Sequence, residues 1–244
     1  MADSVLSRSA LLLGEEAIAR LKGASVCVVG LGGVGSYAVE ALARAGIGRF
    51  TLIDFDIVGE TNLNRQLFAL RETIGQAKVD LAQRRILAIN PEAKVICHQE
   101  FLDADNRVEL LAEVDSFIDA IDSLGPKIGL LEYAVRRELE FVSVMGAGNR
   151  LDPAQVQLTS IKKSHNCPLA RRVRKYLGRR GIKADFPCVW SSELPLRPDE
   201  DTDIPDEIIL QRGRQRQTVG SVSYLPAIMG MVAASWVIRQ IACR

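Results

Sequence analysis

A glycine-rich turn near the start of the chain constrains the fold more than any other feature. The apolar run Ser25–Val29 leads directly into residues 30–35 (GLGGVG), and a helical pattern continues from there to residue 45. A short apolar run that ends in glycines is typical of a buried parallel strand. Glycines between a strand and a helix permit a tight turn and let a phosphate approach the backbone at the helix N-terminus. The turn therefore predicts a nucleotide-binding α/β unit, with candidate contacts at Gly30, Gly32, Gly33 and Gly35.

Strand-like and helix-like segments alternate through the first 150 residues. We expect a helix at 12–21, further strands at 50–53, 94–97, 114–120 and 141–145, and further helices at 76–89 and 126–139. Alternation of this kind favours parallel strands joined by right-handed crossovers. The predicted fold class is therefore α/β, a Rossmann-like, mostly parallel sheet with helices on both faces.

The pattern changes after Gly148. Residues 155–160 alternate like a half-exposed strand, 167–180 read as a basic helix, and 194–207 carry the prolines and acids of a loop. Residues 218–238 are uncharged but include Pro226, glycines and serines, so we expect a buried C-terminal helix beginning near Pro226 rather than a membrane span. We assign 1–150 to the nucleotide-binding region and 151–244 to a C-terminal substrate lobe, both within one integrated domain.

Composition limits the choice of compartment and partner. The 244 residues carry a net charge of +1, so any attraction to a charged partner must be local. The five cysteines form no CxxC pair, which argues against structural zinc and favours free thiols in a reducing cytoplasm. The N-terminal segment lacks the basic start of a secretory signal. We therefore expect a cytoplasmic protein that does not act at a membrane.

An acid follows the second predicted strand. Asp54 lies roughly 20 residues beyond the glycine turn, where dinucleotide-binding folds place a carboxylate that accepts hydrogen bonds from ribose hydroxyls. This acid alone is equally typical of an enzyme that uses NAD. The residues that follow Asp54 distinguish an ATP site from an NAD site.

Cationic and acidic side chains beyond Asp54 favour ATP over a nicotinamide dinucleotide. Arg65 and Lys78 follow the second strand, and Asp122 follows the fourth. A triphosphate needs cations while its α-phosphorus is attacked, whereas a dinucleotide needs none beyond the turn. A single carboxylate can hold Mg²⁺ together with phosphates, so Asp122 is the candidate metal ligand. The sequence contains no GxxxxGK[ST] loop, so this would not be a P-loop enzyme.

These motifs resemble the adenylating domain shared by ubiquitin-activating enzymes and by the molybdopterin- and thiamine-pathway adenylyltransferases (the ThiF/MoeB/HesA superfamily). The resemblance implies an ATP site in which Asp54 holds the ribose and Asp122 holds Mg²⁺. It also implies a homodimer in which Arg8 enters the partner subunit's site. The catalytic candidates are Arg8, Arg65, Lys78 and Asp122. The nucleotide-binding candidates beyond the glycines are Asp54, Asp56, Asn62, Arg65, Gln66 and Lys78.

Within that superfamily the chain most resembles the tRNA threonylcarbamoyladenosine dehydratases. The similar segments are 12–16 (LLGEE), 62–66 (NLNRQ), 119–127 (DAIDSLGPK), 146–148 (GAG), 168–170 (PLA) and 220–221. The resemblance implies ATP-dependent cyclisation of the modified adenosine in tRNA, after adenylation of its threonyl carboxylate. One departure is Cys167, because the family tends to have Asp before Pro-Leu-Ala.

A basic segment gives independent support for an RNA partner. Residues 162–183 contain nine Lys and Arg residues and no acid. Cations on phosphates dominate the affinity of proteins for nucleic acids. The candidate tRNA-binding residues are Arg171, Arg172, Arg174, Lys175, Arg179 and Arg180. The alternative is an ordinary solvated helix face.

Two other functions remain open from the sequence. The adenylated group could be the C-terminus of a ubiquitin-like sulfur-carrier protein, with a sulfur-transfer protein as a further partner. The missing CxxC pairs and the basic segment argue against this alternative. The protein could instead be a nicotinamide-binding oxidoreductase or a nucleotide sensor. Cys188 is a candidate nucleophile, although a buried structural thiol is the commoner role.

Overall fold

A computed structural model describes residues 5–183, 185–196 and 219–244. Its strands are β1 (Ser25–Val29), β2 (Arg49–Ile53), β3 (Lys94–His98), β4 (Ser116–Asp119), β5 (Phe141–Val144), β6 (Val156–Ser160) and β7 (Pro187–Ser191). Its α-helices are α1 (Ser7–Leu13), α2 (Glu15–Gly23), α3 (Gly35–Arg44), α4 (Lys78–Ile89), α5 (Arg107–Leu110), α6 (Leu124–Arg136), α7 (Pro168–Arg179) and α8 (Tyr224–Ala242).

Within the described residues the strands form one seven-stranded sheet in the order β3-β2-β1-β4-β5-β7-β6. Every neighbouring pair is parallel except β6 and β7, which are antiparallel. The central strand β1 is buried along its whole length, as its continuous apolar sequence predicts. The predicted α/β fold with a mostly parallel sheet is confirmed.

Helices cover both faces of the sheet. One buried cluster packs α3, α4 and α8 against one face, through residues such as Val39, Val79 and Ala233. The other packs α6 and α7 against the opposite face, through residues such as Ile128 and Val173. The region after residue 150 extends the same sheet, because β7 pairs with β5.

Several elements differ from the sequence prediction in bounds or were not predicted. The helix expected at 12–21 is two helices, because Gly14 has a φ of 85° and ends α1 before α2 begins. Strand β7 was not predicted as a strand. The C-terminal helix begins at Tyr224, two residues before Pro226, so the predicted start near Pro226 is confirmed. The predicted loop at 194–207 lies outside the described residues from 197 onward.

Helix α8 is long and apolar enough, by length and composition, to cross a membrane. In the fold it packs against α3 and the sheet instead, and Met229, Ala233 and Val237 are fully buried. Gly230 makes the crossing with α3 possible, since a Cβ there would overlap the carbonyl oxygen of Val34. The prediction of a buried C-terminal helix is confirmed.

Replacing Gly230 with alanine tests this close helix crossing. We expect Gly230→Ala to lower the free energy of unfolding by about 1–3 kcal/mol, because α8 must move away from α3 to admit the methyl group. Gly178→Ala is the matched control, since a Cβ at that helical glycine meets nothing within 4 Å. The control should be neutral or stabilising by up to about 1 kcal/mol. Urea unfolding measures both, and equal values for the two variants would contradict the packing.

Candidate functional site

The glycine turn joins β1 to α3 at the carboxyl end of the sheet. Gly30 has a φ of 90°, and its N–H donates to the carbonyl of Ile53 on the neighbouring strand. A Cβ at Gly35 would overlap the carbonyl oxygen of Gly30, so the turn closes only with glycine there. The first N–H groups of α3 have no acceptor within their own helix. The N–H of Ser36 donates to the carbonyl of Gly32 at 3.0 Å, and the anion site at this helix N-terminus stays a prediction.

Asp54 anchors this turn from the end of β2. One carboxylate oxygen accepts the N–H of Leu31 at 2.6 Å, and the other accepts the N–H of Asp56 at 2.9 Å. The side chain is buried, and burial raises the pKa of Asp54 while the nearby Lys78 opposes that shift. Each carboxylate oxygen has a second lone pair, so Asp54 can also accept hydrogen bonds from ribose hydroxyls.

Lys78 lies beside Asp54 and Asp56. It is the first residue of α4, and its ammonium is 2.9 Å from a carboxylate oxygen of Asp56. Lys78 is buried, whereas the side chain of Asp56 is 44% exposed. The predicted residues Asp54, Asp56 and Lys78 therefore form one cluster at the carboxyl ends of the strands.

The segment after Asp56 brings Arg65 and Gln66 to the glycine turn and places Asn62 in a short turn just before them. The side-chain amide nitrogen of Gln66 lies 3.8 Å from the Cβ position of Gly32, and Cγ of Arg65 lies 3.2 Å from that of Gly33. The buried Asn62 accepts the N–H of Gly59 at 3.2 Å, which closes the short 3₁₀ turn before it. The Arg65 guanidinium donates to the carbonyl of Thr61 at 2.9 Å and to Asn64.

A buried ion pair that the sequence did not predict fixes the next two strand ends. The Lys127 ammonium lies 2.8 Å from a carboxylate oxygen of Asp119, and both side chains are fully buried. Lys127 also donates to the carbonyls of Ile121 (3.0 Å) and Val144 (2.8 Å). Ser143 donates to the same Asp119 carboxylate. These contacts join β4, β5 and the loop that carries Asp122.

Asp122 is exposed at the carboxyl end of β4, one residue beyond a carbonyl that Lys127 holds. Its carboxylate accepts the hydroxyl of Ser123 at 3.2 Å. Among the described residues, no group of three His, Cys, Asp or Glu side chains could hold a metal ion alone. A Mg²⁺ ion needs no such group when nucleotide phosphates supply most of its ligands.

Arg8 lies away from the other candidate residues of its own chain. It is exposed on α1, and the preceding Leu6 packs against Gly46 just beyond the C-terminal end of α3. The glycine turn is at the other end of that helix, roughly 15 Å away for ten residues. The structure does not bring Arg8 to the turn of the same chain.

Helix α7 presents only part of its predicted basic face to solvent. Arg171, Arg172, Lys175 and Arg179 are exposed. Arg174 points inward and donates to the carbonyls of Ile161 and Ser164 at 3.0 Å. Arg180 is exposed but forms an ion pair with Glu132 of α6.

The start of α7 lies at the carboxyl ends of the strands. Leu169, in its first turn, has its Cβ 3.8 Å from the Cβ position of Gly146, just after β5. At the C-terminal end of α7, Arg180 forms an ion pair with Glu132 near the end of α6. The exposed cations of α7 therefore extend away from the candidate site along one helix.

Cys188 and Cys167 are buried and have structural surroundings. Cys188 is fully buried in β7, and burial raises the pKa of its thiol to about 12. Cys167 caps α7, with its sulfur 3.5 Å from the N–H of Ala170. This capping position explains how a cysteine replaces the aspartate typical of the resembled family, since Asp is a preferred N-cap residue.

Comparisons with known proteins agree with this arrangement. The model of the ThiF family matches residues 6–243. The tRNA threonylcarbamoyladenosine dehydratase of Bacillus subtilis (strain 168) is 38% identical over 239 residues, which cover 96% of this chain and 93% of that protein. The crystal structure of the Escherichia coli tRNA N6-threonylcarbamoyladenosine dehydratase in complex with ATP has a TM-score of 0.87 at 36% identity, covering 98% of this chain and 93% of that one.

A more partial similarity is to the probable adenylyltransferase/sulfurtransferase MoeZ of Mycobacterium tuberculosis (strain CDC 1551 / Oshkosh). It is 37% identical over 123 residues, which cover 50% of this chain and 31% of that protein. The dehydratases therefore share nearly the full length of the chain, and this adenylyltransferase shares half of it.

Removing the Lys127 ammonium tests the buried ion pair. We expect Lys127→Met to lower the free energy of unfolding by about 3–5 kcal/mol, because Asp119 would stay buried without its counter-charge. Lys175→Met removes an exposed cation and should change it by less than about 0.5 kcal/mol. Urea unfolding of both variants measures the difference. A loss below about 1 kcal/mol for Lys127→Met would show that Asp119 does not depend on this partner.

Thiol labelling tests the structural assignment of the cysteines. With the folded protein near neutral pH, an alkylating reagent should modify the exposed Cys243 first and leave Cys188 unmodified. The reason is that the thiolate is the reactive form and burial disfavours it. Mass spectrometry of peptides after timed labelling measures both rates, with unfolded protein as the control. Equal rates at the two positions in the folded protein would return Cys188 to the list of candidate nucleophiles.

Proposed function

The chain belongs to the ThiF family, and we propose that it is an ATP-using enzyme that dehydrates N6-threonylcarbamoyladenosine in tRNA by cyclisation, through an acyl-adenylate. The observation that carries the proposal is the match to named dehydratases across nearly the whole of both chains. That match includes the basic helix and the C-terminal helix as well as the nucleotide-binding half.

The residues at the glycine turn fit ATP. The N-terminus of α3 offers N–H groups to phosphate oxygens, and the Asp54 carboxylate lies beside that turn at hydrogen-bond distance from Leu31. The stem of Arg65 packs against Gly33 of the turn, and the Lys78 ammonium lies beside Asp56. An incoming phosphate would compete with the Asp56 carboxylate for the Lys78 ammonium. The proposed role of Arg65 and Lys78 is to neutralise the triphosphate during attack on its α-phosphorus.

Asp122 is the proposed Mg²⁺ ligand. Its exposed carboxylate lies at the carboxyl end of β4, and Lys127 fixes the loop that carries it. When bound there, Mg²⁺ would neutralise charge on the phosphates and on the leaving pyrophosphate. The contribution of the chain is to hold one carboxylate at a fixed strand end.

The proposed chemistry has two steps. The threonyl carboxylate attacks the α-phosphorus of ATP, an oxygen–phosphorus bond forms, and pyrophosphate leaves. A nitrogen of the same modified base then attacks the activated carbonyl and AMP leaves with one carboxylate oxygen, so the nucleoside loses one water. Ring closure is intramolecular, and proximity supplies much of its rate. No protein thiol is needed, which suits the burial of Cys188.

The tRNA surface that we propose is the exposed face of α7. Arg171, Arg172, Lys175 and Arg179 are available for phosphates, and the helix begins beside the carboxyl ends of the strands. We leave Arg174 and Arg180 out of the proposed contacts. Arg174 donates to the carbonyls of Ile161 and Ser164, and Arg180 is paired with Glu132.

We further propose a cytoplasmic homodimer in which Arg8 completes the site of the partner subunit. Arg8 lies about one helix length from the glycine turn of its own chain, on a helix whose Leu11 and Leu12 are exposed. A residue in that position can reach a second copy more readily than its own site.

A second candidate function keeps the adenylation and changes the acceptor. Half of the chain is also similar to an adenylyltransferase/sulfurtransferase, so the C-terminus of a ubiquitin-like sulfur carrier could be the activated group, with a sulfur-transfer protein as partner. The absence of CxxC pairs from the sequence weighs against it. Nicotinamide chemistry is disfavoured because a dinucleotide does not need the cations Arg65 and Lys78 that follow β2.

Formation of AMP tests the proposal and its alternative together. With ATP and Mg²⁺, we expect AMP release to depend on tRNA that carries threonylcarbamoyladenosine, and not on unmodified tRNA or on a ubiquitin-like carrier. Arg65→Ala and Lys78→Ala should each lower the rate about 100-fold or more, because each removes a cation from the phosphates. Arg71→Ala, at an exposed cation, is the control. AMP release with the carrier alone would favour the second candidate, and full activity of Arg65→Ala would remove that residue from the site.

Mixing two inactive variants tests the role of Arg8 in the partner's site. We expect Arg8→Ala and Arg65→Ala each to be impaired alone and to recover about a quarter of the parent activity when refolded together in equal amounts. Half of the resulting dimers would be mixed, and one of their two sites would be intact. Unimpaired Arg8→Ala protein, or no recovery on mixing, would contradict action across the dimer.

A further inference from the structure

A pocket lies on the flank of the basic helix, apart from the glycine turn. It is a pocket of about 330 Å³ between α7 and the segments on either side of it. It is lined by Ile161, Lys162, Arg174, Leu177, Ile182 and Lys183. The volume is at the lower end of the range for small-molecule sites in proteins, which run from roughly 300 Å³ upward.

The pocket combines an apolar floor with a cationic rim. Ile161, Leu177 and Ile182 are almost completely buried, and they form the floor. Lys162 and Lys183 are exposed. The guanidinium of Arg174 forms a wall that is held by the carbonyls of Ile161 and Ser164.

One acid faces the rim. The Lys162 ammonium lies 3.1 Å from a carboxylate oxygen of Asp185, which also accepts the hydroxyl of Ser160. An ammonium group has three N–H donors, so Lys162 keeps donors for another anion while it contacts Asp185. Exposed ion pairs of this kind are weak, so Lys162 can still bind another anion.

The rim continues into the proposed tRNA surface. Arg171 is three residues before Arg174 and four before Lys175, so the three side chains are neighbours on α7. A nucleic acid bound along the exposed face of α7 would therefore pass the mouth of the pocket. An apolar floor beside cations suits a planar base attached to a phosphate.

We propose that this pocket binds one unpaired nucleotide of the RNA substrate, with its base on the apolar floor and its phosphate at Lys162 and Lys183. RNA-binding proteins commonly read loops in this way, because only unstacked bases can be turned outward. A duplex would leave the pocket empty, since its bases stay stacked within the helix. The pocket would thus favour the unpaired part of a tRNA over its stems.

The bound nucleotide is not the one that reacts. The pocket is lined by Arg174 and Leu177, whereas the first turn of α7 contacts the strand ends at Leu169. Five to eight residues of helix separate these points by roughly 8–12 Å. The inference rests on the proposed function for the identity of the RNA, but the binding itself needs no ATP.

The test compares two RNAs and two matched variants without ATP. The probes are a short fluorescent single-stranded RNA and a duplex of the same sequence, and anisotropy measures their affinities. We expect the double variant Lys162→Ala/Lys183→Ala to bind the single strand about tenfold more weakly, with less than a twofold change for the duplex. The control, Lys22→Ala/Lys94→Ala, removes the same charge from α2 and the far edge of the sheet and should change neither. Equal weakening for both RNAs, or no weakening, would overturn the inference.

Crosslinking of the unaltered protein covers the case in which the variants do not fold. RNA that carries 4-thiouridine at an unpaired position should crosslink to peptides that contain Ile161 or Ile182. Crosslinks confined to other peptides would overturn the inference. Neither measurement depends on dehydration, so a protein that binds RNA in the pocket but releases no AMP would refute the proposed function alone.

Discussion

The buried ion pair between Asp119 and Lys127 is the interaction on which the geometry of the proposed site most depends. Lys127 binds the carboxylate at the end of β4, the loop before Asp122 and the last carbonyl of β5. Both charges are fully buried, so neither can lose the other without a large cost. The pair holds two strand ends and the candidate metal ligand in one arrangement. The glycine turn and Asp54 then meet them at the same edge of the sheet.

Features that depend on short-range backbone demands were predictable from the sequence. The glycine turn must contain glycine at Gly30 and Gly35, because one has a positive φ and the other lies against a carbonyl. Strand β1 is buried throughout, and all of it after Ser25 is apolar, because helices cover both faces of the sheet. Asp54 directly follows β2, as the sequence indicates, and its carboxylate accepts the N–H of Leu31 at the turn. These constraints act between neighbours in one β-α-β unit, so a single sequence displays them.

Features that depend on distant contacts were not predictable. Strand β7 pairs with β5, so that Cys188 lies beside Ser143. Nothing in the sequence near Cys188 indicates that β5 is the neighbouring strand. Arg174 belongs to a run of cations, yet it turns inward because the carbonyls of Ile161 and Ser164 are within its reach. The sequence around Lys127 does not indicate that this lysine is buried. Its burial depends on Asp119 and on two carbonyls that the fold brings to it. The roles of the site residues toward ATP, Mg²⁺ and tRNA stay predictions.

The most direct test of the proposed function is the mass of the modified nucleoside. The purified protein would be incubated with ATP, Mg²⁺ and tRNA carrying threonylcarbamoyladenosine, and the tRNA then digested for nucleoside mass spectrometry. A product lighter by one water, formed only when ATP is present, is the predicted result. An unchanged nucleoside, under conditions in which the protein binds ATP and the tRNA, would contradict the assignment of this site to dehydration.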